Sequence, residues 1–165
     1  MHADRLYGAL RRFGLDPGEA DEVAQEVFVR AWRGLAGFEE RARFSTWLYR
    51  IAFNEAQRRL SRRPPARAEA DRDRDDPIVS LPESPGLGPE AQTLDREFER
   101  TLERALDELP ADWRAAVVLR DIQGLSTDDA AEIVGVGQAA FKSRLHRGRM
   151  QLRTLLEPYL RLGEG

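Results

Sequence analysis

The chain has 165 residues, of which 41% are apolar, and its 26 basic and 29 acidic residues give a net charge of -3. This composition suits one compact domain or two small ones and excludes a large multidomain enzyme. The chain has no cysteine and only two histidines, His2 and His146, which excludes disulfides and thiol catalysis and leaves almost no basis for a zinc site. The apolar runs are far shorter than the roughly 20 residues of a membrane span, and the first residues do not begin a signal peptide. We therefore expect a cytoplasmic protein without membrane insertion.

The N-terminal part of the chain has apolar residues at three- and four-residue spacing, which predicts helices and no strand. We expect a first helix over about 5–13, a second over about 17–35 and a third over about 45–61. Ser45 is the expected N-cap of the third helix, because a serine side chain can accept a hydrogen bond from the first turn.

Residues 64–92 differ in composition, because prolines, glycines and acids replace the apolar anchors, and seven acids against three arginines give a charge of -4. Such a segment is typical of a linker and predicts an extended acidic tether. Four of its acids, Asp71, Asp73, Asp75 and Asp76, alternate as in a calcium-binding loop. The glycine that such a loop needs at its sixth position is absent, so we predict no metal site and no cofactor.

Helical spacing returns at residue 93 and continues to a break at Pro110. A further helix is expected from Asp112, as its N-cap, to about Gly124, and a short helix from Ser126 or Thr127 to Val134. The tight turn at 135–137 leads into a last helix that ends at about 156, which together form a helix-turn-helix pattern.

The predicted fold class is all-α, with two small helical domains joined by a flexible linker. The first domain is expected over residues 1–63, the linker over 64–92 and the second domain over 93–165. We expect the relative position of the two domains to be set by the linker or by a partner.

Two stretches are strongly basic: residues 41–63 have seven arginines and one acid, and residues 138–153 have five basic residues and no acid. On the last helix Phe141 and Leu145 fall on one face, and the basic residues lie away from it. A basic, polar helix face is what readout of the major groove requires. A run of charge by itself is more often a solvated face, but the helix-turn-helix context favours DNA binding.

The residues around Trp47 combine aromatic side chains with arginines and an amide. Arginines can hold phosphates, and aromatic side chains can hold unstacked bases. A place in the core is an equally good interpretation for Trp47, whereas Leu48 and Ile51 are assigned to the core.

The second helix has an apolar stripe formed by Val23, Val27 and Ala31, and the residues before Arg30 are rich in acids. An acidic first turn can simply complement the helix dipole, or the acidic face can be a protein-docking surface. Physical chemistry alone leaves these two interpretations equal.

Several motifs together resemble one protein family. The stretch DEVAQEVFVRAWR (21–33), Phe38 and the stretch FSTWLYRIAFN (44–54) resemble region 2 of extracytoplasmic-function (group 4) bacterial sigma factors. The stretches at 109–114, 118–126 and 141–149 are similar to region 4 of the same family. The resemblance covers about four-fifths of the chain in the family's order.

The resemblance implies a non-enzymatic subunit that binds core RNA polymerase, recognises the minus-35 and minus-10 elements of promoter DNA and helps to open the duplex. The residues implied in docking on the clamp helices of the largest polymerase subunit are Asp21, Glu22, Gln25, Glu26, Phe28 and Trp32. Those implied at the minus-10 element are Phe38, Arg43, Ser45, Thr46, Trp47, Tyr49, Arg50, Asn54 and Arg58. Those implied at the minus-35 element are Gln138, Lys142, Ser143, Arg144, His146, Arg147 and Arg149.

The family also implies contact with the flap of the second-largest polymerase subunit and control by an anti-sigma factor, which can hold its sigma factor at the inner membrane. Two other interpretations remain open. One is a helix-turn-helix transcriptional regulator that binds duplex DNA without polymerase. The other is a degenerate sigma-like protein that is not competent for promoter opening.

Overall fold

The computed structural model describes residues 2–38, 43–62 and 89–162. The N-terminal half contains α1 (His2–Arg12), α2 (Pro17–Gly34), a 3-10 turn (Leu35–Gly37) and α3 (Phe44–Ser61). The C-terminal half contains α4 (Pro89–Glu108), α5 (Ala111–Val117), a π-helical segment (Val118–Ile122), α6 (Thr127–Val134) and α7 (Gln138–Leu162). No strand occurs within the described ranges, and the prediction of two all-helical parts is confirmed.

Helices α1 to α3 pack around a common apolar core. Leu6 and Leu10 of α1 and Val23 and Val27 of α2 are fully buried, and Leu48 of α3 is 2% exposed. The stripe predicted on the second helix therefore faces inward, and burial of these side chains is the main favourable term for folding of this half.

Two of the predicted helix caps are wrong. Helix α3 begins one residue before Ser45, and its N-cap is Arg43, whose side chain makes no capping hydrogen bond. Helix α5 begins after Pro110, so Asp112 lies in its first turn and is not the cap. In both cases the residue before the helix has an extended backbone, with ψ of 143° at Arg43 and 141° at Pro110. Its side chain makes no capping hydrogen bond.

The first helix of the helix-turn-helix begins and ends at the predicted residues. Ser126 caps α6 by accepting a backbone hydrogen bond of 3.1 Å, and Gly135 ends it in the left-handed region at φ 76°. Phe141 is fully buried and Leu145 is 6% exposed. The apolar side of α7 thus packs inward and leaves its basic side in solvent.

Helices α4 and α7 are both longer than predicted. Helix α4 begins at Pro89 and not at 93, and α7 continues past the predicted end at 156 to Leu162, with Pro158 inside it. The rings of Phe98 and Tyr159 lie 5.7 Å apart, so packing between the two helices supports the last turns of α7 despite the proline.

The two halves are in contact, which the sequence analysis did not predict. Helix α3 packs against α6, and α1 packs against α4. The side chains that pair across the halves are polar, and polar side chains are assigned to solvent when a sequence is read by its apolar spacing. Residues 63–88, which include most of the predicted linker and the rejected calcium loop, lie outside the described residues.

Candidate functional site

The outer face of α2 exposes large apolar side chains. Trp32 is 79% exposed, Phe28 36% and Val29 48%, and Leu35 in the following turn is 47% exposed. We call these four residues the apolar patch. Phe28 and Trp32 were predicted as site residues, whereas Val29 and Leu35 were missed, although both are out of phase with the buried stripe of the same helix.

The acidic and amide residues predicted beside this patch are all on the surface. Asp21 and Gln25 are exposed, as are Glu22 and Glu26. Arg59 of α3 donates to Glu22 at 3.0 Å and to Glu26 at 3.2 Å. These ion pairs join α2 to α3 next to the apolar patch, and we call Asp21, Glu22 and Glu26 the acidic rim.

Three aromatic side chains meet at the start of α3. The ring of Phe38 lies 5.1 Å from that of Trp47 and 6.1 Å from that of Phe44, and Phe44 and Trp47 are 5.7 Å apart. We call this group the aromatic cluster. Trp47 also lies against α2, because a Cβ added to Gly34 would be 3.1 Å from its ring. The sequence analysis predicted Phe38 and Trp47 as site residues, and Phe44 was recognised only as one of the aromatic residues of the same motif.

The polar residues predicted around this cluster differ in burial. Arg43, Asn54 and Arg58 are exposed and Ser45 is half-buried. Ile51, assigned to the core, is also half-buried. Spacings of seven and eleven residues place Asn54 and Arg58 on the same side of α3 as Trp47.

A buried carboxylate anchors part of this surface. Glu55 is 6% exposed, and it accepts from Arg58 at 3.1 Å and pairs with Arg30 of α2. A carboxylate with two cationic partners satisfies its hydrogen-bonding capacity despite burial. Glu55 therefore positions Arg58 at the surface of α3.

Thr46, Tyr49 and Arg50, which were predicted to hold an unpaired DNA strand, face the C-terminal half. Thr46 is 1% exposed and Tyr49 is 6% exposed. The hydroxyl of Thr46 donates to Asp129 at 3.3 Å, and Arg50 forms an ion pair with Glu132. Both acids lie on α6, so this helix occupies part of the surface predicted for DNA.

The third contact between α3 and the C-terminal half depends on the π-helical segment. Its wider turn is closed by the backbone N–H of Gln123, which donates to the carbonyl of Val118 at 2.8 Å. The hydroxyl of Tyr49 donates to the Gln123 side chain at 2.5 Å. Burial raises the pKa of Tyr49 above its ordinary value, with Arg5 and Arg12 opposing the shift.

A second contact between the halves joins α1 and α4. The guanidinium of Arg12 donates to Glu103 at 2.8 Å, and these side chains are 5% and 14% exposed. Burial raises the pKa of Glu103, with Arg12 lowering it and Asp107 and Glu99 adding to the rise. Neither residue was predicted as functional, because no local pattern links positions 91 residues apart.

The outward face of α7 carries the residues predicted to read duplex DNA. Those that are exposed are Gln138, Lys142, Ser143, His146, Arg147 and Arg149, and Arg144 is half-buried. Arg149 donates to Asp121 at 2.8 and 2.5 Å, and Arg144 lies 3.8 Å from Asp112. Among the described residues, Lys142 and Arg147 have no carboxylate partner, so their charge is available to a ligand.

The position of this face is fixed by a close helix crossing. At Gly148 an added Cβ would lie 2.8 Å from a methyl of Val117 and 3.1 Å from the backbone oxygen of Trp113. Only glycine permits α7 to approach α5 this closely. The crossing therefore sets the orientation in which α7 presents its basic side.

The described parts of the chain contain no group of three or more potential metal ligands. No helix in those parts has the length and apolar character needed to cross a membrane.

Comparison with known proteins identifies the family to which the chain belongs. Residues 1–64 match the family described as Sigma-70 region 2, and residues 99–152 match Sigma-70, region 4. The RNA polymerase sigma-H factor of Pseudomonas aeruginosa is 37% identical over 95% of this chain and 83% of its own length. The extracytoplasmic-function sigma factor SigW of Bacillus subtilis is 32% identical over 94% of this chain and 85% of its own length. The chain belongs to the extracytoplasmic-function group of the sigma-70 family.

A solved structure supports the same relationship for the fold of this sigma factor. The sigma factor RpoE of Bartonella quintana, in complex with the anti-sigma factor NepR, superposes with a TM-score of 0.72 at 25% identity. The match covers 94% of this chain and 92% of that one. As a sigma factor, the chain acts with RNA polymerase and DNA in promoter-directed transcription initiation.

Proposed function

We propose that this sigma factor divides its task among three surfaces: the apolar patch and acidic rim of α2 for core RNA polymerase, α3 with the aromatic cluster for the minus-10 strand, and α7 for the minus-35 duplex. The single observation that carries this assignment is the exposure of Trp32, at 79%. A large apolar side chain so exposed is typical of a surface that another protein covers.

The polymerase surface combines an apolar centre with an acidic edge. Trp32 and Phe28 supply the large rings that contribute most to protein interfaces, and Asp21 and Gln25 remain exposed beside them. Acidic residues at the edge favour a basic partner and speed its association. We infer that the partner is the clamp-helix region of the largest polymerase subunit.

The duplex surface rests on the unpaired charges of α7. Arg147 can bind a guanine edge through two hydrogen bonds or neutralise a phosphate, and Lys142 can neutralise a second phosphate. The ion pair of Arg149 with Asp121 holds that arginine in place, so it contributes a preorganised donor with less entropy to lose on binding.

The strand surface rests on the aromatic cluster and on the side of α3 that continues from it. Stacking of bases on aromatic rings and contacts of arginine with phosphates are the usual means of holding single strands. Asn54 offers an amide that can read the edge of a flipped base. Capture of an unstacked base there would stabilise the melted duplex.

The remaining assignments follow from these partners. We propose that the chain works in the cytoplasm, because polymerase and chromosomal DNA are found there, and that it contributes binding without covalent chemistry or a cofactor. The structural match to a sigma factor held by an anti-sigma factor supports the proposal of a similar regulator for this chain. Contact with the flap of the second-largest polymerase subunit remains a proposal from the family.

The test is run-off transcription with purified core polymerase on a pool of promoter fragments. Trp32→Ala should weaken core binding by roughly 30-fold, the effect of losing an interface side chain worth about 2 kcal/mol. Leu160→Ala is the matched control, because Leu160 is also exposed, at 51%, and lies outside the three surfaces. Equal binding by the two variants would refute the docking assignment.

The same experiment separates the alternatives. Duplex binding without any core binding would favour a helix-turn-helix regulator. Core binding without a promoter-dependent transcript would favour a degenerate sigma-like protein.

A further inference from the structure

Arg149 of α7 is held by a carboxylate from outside its own helix. Its Nε and Nη2 atoms donate to the two oxygens of Asp121 at 2.8 and 2.5 Å. These two bonds use one edge of the guanidinium, and the other edge, formed by Nη1 and Nη2, keeps three N–H donors. The side chain of Arg149 is 51% exposed, so a ligand can still reach its guanidinium.

The two bonds constrain Arg149 more than a single contact would. Arg144, on the same helix, lies 3.8 Å from Asp112, which is beyond hydrogen-bond distance. An exposed pair of that kind contributes little and leaves a long side chain free to move. Two parallel bonds from one carboxylate instead fix the plane of the Arg149 guanidinium.

The backbone behind the pair is also well supported. Asp121 belongs to the π-helical segment, in which Val118 is fully buried and the backbone N–H of Gln123 closes the turn. Arg149 directly follows Gly148, where α7 crosses α5 so closely that no Cβ fits. Buried backbone on one side and a close helix crossing on the other therefore fix the distance between the two side chains.

The free edge of Arg149 has the shape that a guanine requires. Guanine presents two acceptors, N7 and O6, in the major groove, and two parallel N–H groups of one arginine can bind both. Because Asp121 occupies the Nε edge, the remaining edge offers two such groups, one on Nη1 and one on Nη2. An arginine that is already held in one orientation loses less conformational entropy on binding. Arg149 is therefore suited to direct readout of a single guanine.

The carboxylate also changes the charge that DNA meets. Arg149 and Asp121 together carry no net charge, so the pair adds little to the sequence-independent attraction of phosphates. Lys142 and Arg147, which have no carboxylate partner among the described residues, supply that attraction. At a wrong base the free edge of Arg149 would lose water without gaining acceptors. The pair therefore penalises wrong sequences and gives little help to random ones.

We propose that Asp121 is a specificity-determining residue of the minus-35 surface, which orients the free edge of Arg149 towards a guanine and cancels a charge that would otherwise favour random DNA. This inference rests on the proposed role of α7 in duplex binding. Asp121 precedes the helix-turn-helix and acts through Arg149, so it is a positioning residue. The sequence analysis assigned no role to it.

The first experiment measures duplex binding by the holoenzyme assembled from core polymerase and this chain. The probe is the upstream part of the promoter that gives the most run-off transcript, cut before the minus-10 element so that melting is excluded. The second probe is the same duplex with its minus-35 sequence scrambled. The ratio of the two Kd values gives the preference, and a salt series on the scrambled duplex gives the number of phosphates that are neutralised.

The decisive variant is Asp121→Asn, which removes the carboxylate charge and keeps the size of the side chain. It should bind the scrambled duplex about two- to fivefold more tightly, because Arg149 becomes free to neutralise a phosphate. The slope of log Kd against log salt should steepen by about one. The preference for the intact duplex should fall by about fivefold or more. Asp121→Glu keeps the charge and should retain the original slope.

Glu157→Gln is the matched control. Glu157 pairs with Arg161 at 2.6 Å on the same helix and lies about 12 Å beyond Arg149 along the helix axis. The control therefore removes one carboxylate from one arginine and should change neither the preference nor the slope. A double variant tests whether Asp121 acts through Arg149: adding Asp121→Asn to Arg149→Ala should lower the preference no further.

The second experiment locates the contact. Each base pair of the minus-35 element is replaced in turn, and the penalties are compared for the unmutated and the Asp121→Asn holoenzymes. The variant should lose its discrimination at one guanine and keep the penalties at the other positions. An equal loss at every position would show a general weakening of α7 and would overturn the assignment.

Failure of this inference differs from failure of the proposed function. Unchanged preference and slope in Asp121→Asn would overturn the inference, and so would the same changes in Glu157→Gln or a further loss in the Arg149→Ala background. Discrimination by the unmutated holoenzyme would then leave the proposed function intact. If the unmutated holoenzyme did not distinguish the two duplexes, the proposed role of α7 would fail, and this inference with it.

Discussion

Substitution of Gly148 by alanine tests whether the crossing of α5 and α7 is as tight as the structure indicates. The added methyl group would lie 2.8 Å from a Val117 methyl and 3.1 Å from the Trp113 backbone oxygen. Val117 is 3% exposed and has a stiff, branched side chain, and the backbone oxygen can move only if α5 moves. The helices must therefore separate or strain.

The expected magnitude combines two opposing terms. Overpacking of a close-packed site costs about 1–3 kcal/mol, whereas replacing glycine by alanine inside a helix gains about 1 kcal/mol. Together they predict that Gly148→Ala lowers the free energy of unfolding by up to about 2 kcal/mol, which corresponds to a decrease in Tm of up to about 8 °C.

Urea unfolding followed by circular dichroism measures this change. Gly18→Ala in the first turn of α2 is the matched control, because its new Cβ would meet its nearest atom, in Asp16, at an ordinary 3.5 Å. The control should be neutral or slightly more stable. If Gly148→Ala proved as stable as the control, the close crossing would be refuted. Since the crossing orients α7, the variant should also bind minus-35 duplex DNA more weakly.

Three further predictions concern binding and pH. Arg147→Ala should weaken minus-35 duplex binding, measured by gel shift, by about 1–3 kcal/mol. Asn54→Ala should spare duplex binding and impair promoter opening, measured by permanganate footprinting. Equal losses of the two variants in both assays would contradict this division. Gly34→Ala should displace Trp47, whose ring lies 3.1 Å from the new Cβ, and shift its fluorescence while core binding persists. Burial raises the pKa of Glu103 where α1 and α4 are in contact, so formation of this contact takes up protons and acidification should favour it. The distance between spin labels at Gln57→Cys and Asp112→Cys, two residues that line a cleft between the halves, should report this shift, and Glu103→Gln should reduce it.

The sign of the pH effect follows from linkage. A group whose pKa is higher when the halves are in contact stabilises that contact fully below its ordinary pKa, and the stabilisation is lost as the pH rises through the raised value. If the population with the halves in contact increased with pH, and did so only when Glu103 is present, the raised pKa of Glu103 would be contradicted.

Most of the fold could be predicted because its signals are local. The stripe of Val23 and Val27, the cap at Ser126 and the glycine at Gly135 each act within one or two turns of helix, and all three appear where the pattern predicts them. The predicted caps at Ser45 and Asp112 are wrong because both predictions relied on the capping ability of the side chain. The actual N-caps, Arg43 and Pro110, have an extended backbone and make no capping hydrogen bond with their side chains.

The candidate site was predictable in its outward residues and not in its contacts. The basic side of α7 follows from helical periodicity, whereas Trp32 was implied by the family resemblance. The pairing of Thr46 with Asp129 joins positions 83 residues apart, and no spacing rule links two polar residues at that distance. Such pairs depend on how the halves dock, which is decided by three-dimensional fit.

The contact between α3 and α6 has a further consequence because both faces belong to one polypeptide. Within one chain they meet at an effective concentration of order millimolar, so contacts too weak to join two separate molecules suffice to keep the halves together. If the halves were produced as two polypeptides, we would expect them to remain apart at micromolar concentration. The covalent connection therefore lets a few hydrogen bonds and ion pairs hold the halves together, and a cut between the halves would separate them without changing any residue at the interface.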